Sequence, residues 1–177
     1  MDIFPISLKL QQQPCLIVGG GHIAYRKAVL LAKAGAVIHV IAPEIDANLL
    51  EIVQQSQGQY DQAPFSTQIP LRHYRLVIAA TDDADVNRQV FELCEAENVL
   101  VNSVDDPPHC RFMVPAIIDR SPLVISVASN GTSPVLSRQI RTQLEATIPH
   151  GMGKLAEFSG KWRSRVKAKI VNPDQRR

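Results

Sequence analysis

Short apolar runs alternate with segments of helical spacing in the first part of the chain. Residues 15–18 and 37–41 are apolar runs, and apolar residues recur at helical spacing over residues 24–34 between them. Three glycines separate the first run from the helical segment. Short apolar runs bounded by turn residues are typical of buried strands. The pattern predicts a strand, a glycine-rich turn, a helix and a second strand.

The alternation continues to about residue 106. Residues 44–57 and 83–98 have apolar positions at helical spacing, whereas residues 75–83 and 98–106 are apolar runs that end in polar residues. Residues 59–73, which contain two prolines, are predicted to be irregular. Strands that alternate with helices imply a parallel sheet with crossover helices. The predicted fold class is therefore α/β, with a Rossmann-like parallel-sheet domain.

The pattern changes beyond residue 106. Residues 112–118 and 123–127 are predicted apolar strands, separated by the turn-rich tetrad of residues 119–122. A helix should follow, capped by Thr132 or Ser133 and with Pro134 in its first turn. The next segment is a basic amphipathic helix. We expect a small β-containing segment and a helical C-terminal region, with a boundary near residues 112–115.

Composition narrows the class of protein. The chain has 177 residues, and it contains no apolar stretch near the ~20 residues of a membrane span. Its amino terminus lacks the apolar core of a secretory signal. The three cysteines have irregular spacing, so neither a disulfide framework nor a zinc site is predicted, and Cys15 and Cys94 are expected in the core. We predict a cytoplasmic location.

Charge is unevenly distributed along the chain. Residues 1–119 contain 8 Lys and Arg against 14 Asp and Glu, whereas residues 120–177 contain 11 against 3. Such asymmetry favours an anionic partner for the C-terminal third. A solvated helix face followed by a ragged tail would give the same asymmetry.

The glycine-rich turn fits the pattern G-x-G-x-x-A between a strand and a helix. Gly19 permits a tight turn, Gly21 allows the backbone to approach a pyrophosphate, and Ala24 allows close packing of helix on strand. The helix start would face the phosphates. The usual acidic residue is missing at the end of the second strand, where the sequence reads Ile41-Ala42-Pro43-Glu44. A tight turn without a ligand is the alternative.

Two further strand ends should meet at the same sheet edge. The first is "AATDD", in which Ala79 and Ala80 are small enough to admit a ribose or nicotinamide and Asp82 or Asp83 would cap the next helix. The second is "NSVDDPPHC", which places Asn102, Asp105 and Asp106 there. A carboxylate at this edge could accept a proton during hydride transfer, although one aspartate could serve only to cap the proline turn.

Two remaining segments carry polar candidates. His109 and Cys110 are adjacent and project to different sides, so a structural histidine is favoured over a metal ligand, and no metal site is predicted. The turn "SNGTSPVLSRQIR" leads into a helix start that suits an anionic group, although a plain capped helix would look the same.

Several of these segments, taken in order, resemble one family. They are "CLIVGGGHIAYRKAVLLAKAGA", "AATDDADVNRQV", "VNSVDDPPHCRFMVPAIIDRSPLVISVASNGTSPVLSRQIR" and the basic helix. The chain resembles the N-terminal module of siroheme synthase, the precorrin-2 dehydrogenase and sirohydrochlorin ferrochelatase family, over about residues 1–170. The run "IIDRSPL" followed by "GTSPVL" is far more specific than the glycine turn.

The resemblance implies a set of roles. It implies NAD as hydride acceptor, with contacts at His22, Ile23, Pro43 and Glu44, and Asp105 as the catalytic aspartate of dehydrogenation and of iron insertion. Ser129 falls on a serine that some members carry phosphorylated. The expected cofactor-binding residues are Gly19, Gly21, His22, Ile23, Pro43, Glu44, Ala80 and Thr81. The expected substrate-binding residues are Asn102, Ser129, Thr132, Ser133, Arg138 and Arg141, with Lys154 as a further candidate for a carboxylate contact.

The resulting prediction is an NAD-dependent dehydrogenase that oxidises precorrin-2 to sirohydrochlorin, with iron insertion as an additional activity. We expect an NAD-binding domain over residues 1–113, a dimerisation segment over 114–147 and a basic helical region over 148–177. The expected assembly is a homodimer, with no nucleic acid or membrane partner. Two alternatives stay open at this point: a non-catalytic module that senses NAD or a tetrapyrrole, and a nucleic-acid-binding role for the basic tail.

Overall fold

The structure, a computed structural model, describes residues 2–170 apart from the side chain of Ser164. It divides into two compact units, one of residues 3–113 and one that begins at residue 114. No helix in the described part of the chain is both long and apolar enough to cross a membrane.

The first unit is a five-stranded parallel sheet with three α-helices. The strand order is β3-β2-β1-β4-β5. Strands β2 and β3 are therefore added on one side of β1, and β4 and β5 on the other, so the order reverses between β1 and β4. The elements are β1 (Pro14–Val18), α1 (His22–Lys33), β2 (Val37–Ile41), α2 (Ala47–Gln55), β3 (Gln59–Asp61), β4 (Leu76–Ala79), α3 (Ala84–Ala96) and β5 (Leu100–Ser103). Two 3-10 turns, Leu71–His73 and Pro107–His109, complete the unit.

Alternate residues of the central strands build two separate cores. Cys15 and Ile17 of β1 pack with buried residues of α1 and α2, whereas Leu16 and Val18 pack with Val90 of α3. Side chains of a strand point alternately to opposite faces, and both faces of this sheet are covered. This explains why the parallel strands appear in the sequence as continuous apolar runs. The α/β fold class is therefore confirmed.

The predicted core cysteines lie inside this sheet unit. Cys15 and Cys94 are both fully buried. Burial raises the pKa of the Cys15 thiol to about 11 and that of the Cys94 thiol to about 12. Because the thiolate is the reactive form, both groups act here as small apolar residues.

Two boundaries in the first unit differ from the prediction. Residues 59–73 are not wholly irregular, because β3 pairs with β2 through backbone groups at the sheet edge. This three-residue strand has polar ends, so the apolar pattern could not indicate it. Helix α2 begins at Ala47 rather than near residue 44, because the Asp46 carboxylate caps it by accepting hydrogen bonds from the Asn48 and Leu49 backbone N–H groups at 2.8 and 3.3 Å.

The second unit contains an antiparallel hairpin and two helices. Its elements are β6 (Ala116–Arg120), β7 (Leu123–Val127), α4 (Pro134–Thr147) and α5 (Met152–Lys169). The hairpin register pairs Ala116 with Val127 and Arg120 with Leu123. Ser133 is the N-cap of α4, where its hydroxyl accepts a hydrogen bond from the Leu136 N–H at 3.3 Å, and Pro134 occupies the first turn as predicted.

The hairpin corrects the predicted strand and turn limits. Strand β6 starts at Ala116 rather than at residue 112, and it follows Pro115, which has no N–H to donate to a ladder. The connection is only Ser121-Pro122, joined by a cis peptide bond, so Asp119 and Arg120 belong to the strand instead of the turn. The Asp119 carboxylate still supports the connection by accepting from the Ser121 N–H at 2.9 Å.

Candidate functional site

A cleft of about 960 Å³ opens at the carboxyl ends of β1, β2 and β4. This volume falls in the upper range of small-molecule and cofactor sites. The cleft lies where the strand order reverses, which is the usual ligand position in open α/β sheets. Eight residues predicted to bind the cofactor line this cleft. They are Gly19, Gly21, His22, Ile23, Pro43, Glu44, Ala80 and Thr81. The structure therefore brings all eight predicted cofactor-binding residues together.

Gly19 makes the sharp turn that leaves β1. Its φ is +117°, a conformation that favours glycine, and its N–H donates to the Ile41 carbonyl at 2.9 Å. A Cβ here would also collide with the carbonyl of Ala80 at the end of β4. Gly19 thus allows the backbones that follow β1 and β4 to approach each other closely.

Gly20 has a role that the sequence reasoning missed. A Cβ at this position would collide with the carbonyl group of Glu44, while the Gly20 carbonyl accepts a hydrogen bond from the Asp46 N–H at 2.8 Å. The turn after β1 is therefore packed directly against the corner after β2. The run of three consecutive glycines was the available signal, since the G-x-G-x-x-A pattern leaves its middle position free.

Gly21 faces open space. Among the described residues, no atom of another part of the chain lies within 4 Å of a Cβ placed there, so the cleft can hold a group against this backbone. Gly21 is also the N-cap of α1, without a side-chain cap and without an acidic residue in the first turn. The first N–H groups of a helix lack intrahelical partners and carry the positive end of its dipole. This cradle fits the pyrophosphate of a dinucleotide.

The corner after β2 is held from the neighbouring strand. The Tyr60 hydroxyl donates to the Ala42 carbonyl at 3.1 Å, and the Gln62 side-chain amide donates to the Pro43 carbonyl at 3.3 Å. Pro43 and Glu44 are exposed and line the cleft, as does half-buried Phe65 from the loop that follows β3. Tyr60, Gln62 and Phe65 were not predicted as site residues, because their segment was predicted to be irregular.

Asn87 fixes the strand end that carries Thr81. Its side-chain oxygen accepts from the Thr81 hydroxyl at 2.8 Å and from the Thr81 N–H at 3.2 Å, while its amide donates to the Thr81 carbonyl at 2.9 Å. Asn87 is buried on the apolar face of α3, three residues before Val90. A polar residue on the otherwise apolar face of α3 was the signal that could have identified Asn87. Asp83 caps α3, as one of the two predicted candidates.

Asp105 lies on the turn that follows β5, at the same edge of the parallel sheet as the cleft. Its side chain is exposed and its φ is +59°, a left-handed conformation that Asp and Asn tolerate better than most residues. The turn is closed by the Asp106 N–H, which donates to the Ser103 carbonyl at 3.3 Å. An exposed carboxylate at this position has lone pairs free to accept a proton.

Asn102, on strand β5, holds the segment that follows the Asp105 turn. It is buried, and its amide donates to the Phe112 carbonyl at 3.0 Å and contacts the Cys110 sulfur at 3.4 Å. A backbone bridge also joins Asn102 to Cys110. The predicted contact of Asn102 with substrate stays a prediction. Its side-chain oxygen is a buried acceptor that has no hydrogen-bond partner among residues 2–170.

His109 is tied to its surroundings. Its Nδ1 lies 2.7 Å from an Asp106 carboxylate oxygen, and its ring packs edge-on against Phe91 with centroids 4.8 Å apart. These contacts fit the structural role favoured for His109. No three His, Cys, Asp or Glu side chains among residues 2–170 are grouped so as to hold a metal ion.

The remaining predicted substrate residues belong to the second unit. The Ser129 hydroxyl accepts from the Ser133 N–H at 3.1 Å, and the Thr132 N–H donates to the Ser129 carbonyl at 3.0 Å, so these three residues form one capped turn. Arg138 is exposed, with its Nε 3.3 Å from the Pro134 carbonyl, and Lys154 is also exposed. Arg141 is half-buried and pairs with Glu145 at 2.7 Å. Contacts of these side chains with substrate stay predictions.

Comparison with known proteins agrees with the geometry of the cleft. A family model described as "Putative NAD(P)-binding" matches residues 6–116, which is more than half of the chain. The chain belongs to this NAD(P)-binding family. A second model, described as "Sirohaem synthase dimerisation region", matches residues 151–177. That match falls on the predicted basic helical region rather than on residues 114–147, where we expected the dimerisation segment.

The relatives of this NAD(P)-binding chain confirm the resemblance found in the sequence. The siroheme synthase of Acinetobacter baylyi is 71% identical over 177 residues, and that of Chromobacterium violaceum is 48% identical over the same length. These matches cover all of the chain but only 39% and 37% of the two relatives. The chain thus spans about two fifths of the length of the relatives it matches.

One solved structure has the same fold. It is titled "SirC, precorrin-2 dehydrogenase", and it superposes with a TM-score of 0.80, covering 98% of this chain and 85% of that one at 24% identity. At this identity the likeness establishes the fold. Together with the family match, it confirms a Rossmann-like domain of the dinucleotide-binding type.

Two neighbouring glycines should respond differently to the same added methyl group. Gly20→Ala should destabilise the fold by about 1–3 kcal/mol, because the methyl group must displace the Glu44 backbone. Gly21→Ala should leave the thermal midpoint nearly unchanged but weaken NAD binding, because its methyl group fills the cradle. Thermal unfolding and NAD titration of both variants provide the test. Equal midpoints for the two variants would contradict the packing at Gly20.

Proposed function

We propose that the chain catalyses the NAD-dependent oxidation of precorrin-2 to sirohydrochlorin. The observation that carries this proposal is the placement of an exposed carboxylate, Asp105, at the sheet edge where the dinucleotide cleft opens. The match of all 177 residues of this chain to part of a siroheme synthase supports this substrate. A non-catalytic sensor is not favoured, because these relatives are named as synthases.

The reaction removes one hydride and one proton from the macrocycle. NAD⁺, when bound, accepts the hydride with its electron pair. Gly19 and Gly21 shape the turn that would receive the pyrophosphate, and the Asn87 clamp holds Thr81 at the cleft wall. The Asp105 carboxylate accepts the proton as general base. Its left-handed turn, which Asp106 and Ser103 close, fixes the direction from which the carboxylate approaches the substrate.

Asp105→Asn should lower kcat by about 100-fold or more, because an amide cannot accept the proton. The replacement keeps the shape of the side chain and tolerates the positive φ, so the fold and the NAD affinity should be unchanged. The measurement is NADH absorbance with precorrin-2, with NAD affinity measured separately. The matched control is Glu92→Gln, an exposed carboxylate on α3 that does not line the cleft. Wild-type turnover by Asp105→Asn would exclude Asp105 as the base.

Glu44 favours NAD over NADP. It is exposed and lies in the wall of the cleft after β2, near the place where a Rossmann domain binds the ribose hydroxyls. A carboxylate there repels a 2′-phosphate. No lysine or arginine lines the cleft within the described residues, so none is placed there to bind that phosphate.

The proposed enzyme is a cytoplasmic homodimer. Helix α5 exposes Leu155, Phe158 and Trp162, which lie at spacings of three and four residues on one side of the helix. A stripe of large apolar side chains is an expected interface, and the dimerisation model matches the same range. The hairpin of β6 and β7 adds exposed Val124. A two-stranded sheet is marginal by itself, so pairing with a second copy would stabilise it.

Light scattering at micromolar concentration should report twice the mass of the chain. Phe158→Glu should shift the mass toward the monomer, because it places a charge within the apolar stripe. Arg163→Glu, five residues after Phe158 and therefore on another side of the same helix, should not. A monomeric wild-type chain would contradict the dimer.

Iron insertion into sirohydrochlorin is the second proposed activity. Here Fe²⁺ is a substrate, and the final ligands are the nitrogens of the macrocycle. The protein needs a base to remove two pyrrole protons, and the Asp105 carboxylate is the proposed base. Asp106 and His109 offer oxygen and nitrogen donors of the kind that contact Fe²⁺ or Co²⁺ transiently.

The chelatase proposal predicts a slow but measurable rate with Co²⁺ as the surrogate metal. Anaerobic protein, sirohydrochlorin and Co²⁺ are mixed, and the visible spectrum is followed against a protein-free control. Asp105→Asn should reduce the rate toward that control. If wild-type protein adds nothing to the spontaneous rate, the activity is limited to dehydrogenation.

A further inference from the structure

Lys27 is a cation placed among apolar residues. It lies on α1, three residues after Ala24 and four before Leu31, both of which are buried in the core together with Ala28. At these spacings side chains share one side of a helix. The Lys27 side chain is accordingly half-buried, whereas Arg26 and Lys33 of the same helix are exposed.

The Lys27 ammonium has no partner among the described residues. It makes no hydrogen bond there, and no carboxylate oxygen lies within 4.0 Å of it. Half-buried Arg141, by contrast, pairs with Glu145 at 2.7 Å. Desolvation lowers the pKa of Lys27, and the charges of Asp105 and Cys110 oppose that shift while Arg26 adds to it. A partly desolvated ammonium with three free donors is costly unless it binds an anion.

The segment that carries Asp105 packs against the same core cluster as α1. Val104 and Phe112, which flank the turn and the following 3-10 segment, pack against the core cluster that contains Ala24, Ala28 and Leu31. Asp105 is also the acidic group that acts most strongly on Lys27. The cation and the proposed base are therefore neighbours, although they do not form an ion pair.

We propose that Lys27 binds a carboxylate of the substrate beside Asp105, an inference that rests on the proposed function. The proposed substrate carries eight carboxylates, and the strand ends at this sheet edge carry Asp82, Asp83, Asp105 and Asp106. These aspartates would repel such a substrate, so a cation is needed next to the base. Lys27 does not line the dinucleotide cleft, which separates this role from cofactor binding.

The test compares Lys27→Met, Lys27→Arg and the matched control Lys33→Met. The probe is a stable octacarboxylate porphyrin, titrated by its absorbance in the presence of NAD. Lys27→Met should raise the Kd of the porphyrin by about tenfold or more, as expected for the loss of a charge-assisted hydrogen bond. Lys27→Arg should restore most of the affinity, and Lys33→Met should bind like wild type.

Thermal stability and cofactor affinity separate this role from a structural one. Methionine is similar in length to lysine and removes a desolvated charge, so Lys27→Met should melt no lower than wild type and bind NAD unchanged. A lower melting point with unchanged porphyrin affinity would overturn the inference, as would weakened NAD binding. Wild-type turnover of precorrin-2 is measured in parallel. If it is absent while Lys27→Met still loses porphyrin affinity, the dehydrogenase proposal fails and the binding role of Lys27 stands.

Discussion

The architecture of the site depends on the close approach of three strand ends. The turn after β1 touches the carbonyl of Ala80 at Gly19 and the carbonyl of Glu44 at Gly20. No side chain fits at either contact, so the ends of β1, β2 and β4 meet through backbone alone. This approach leaves the Gly21 backbone and the start of α1 facing the cleft, where an anion can be held by N–H groups and the helix dipole.

Polar side chains hold the strand ends at this edge. Asn87 fixes Thr81 from within the apolar face of α3, and Tyr60 holds the corner after β2 through the Ala42 carbonyl. Because the hydrogen bonds of a buried amide are costly to break, Asn87 resists movement of the strand end that carries Thr81. The second unit uses ion pairs for the same purpose: Glu145 contacts Arg141 at 2.7 Å and buried Arg120 at 3.6 Å.

The sequence predicted the features that depend on local pattern. Strands β2 and β7 have the limits expected from their apolar runs, and Ser133 caps α4 where its residue type and Pro134 indicated. The features that escaped prediction depend on distant contacts. Strand β3 is formed by backbone pairing with β2. Glycine is required at position 20 because of the carbonyl of Glu44, 24 residues later in the chain.

The bridge between Asn102 and Cys110 makes the segment that carries Asp105 a closed loop. Both ends of this loop are fixed by the fold, one through β5 and the other through the backbone bridge and the Asn102 amide. The entropy of closing it is therefore lost during folding and not during ligand binding. A ligand that meets the Asp105 carboxylate encounters a backbone segment that is already ordered, so its binding free energy is not reduced by the cost of arranging that segment. Lengthening this loop would move the carboxylate without disturbing the sheet, which makes loop length a determinant of chemistry that is separate from fold stability.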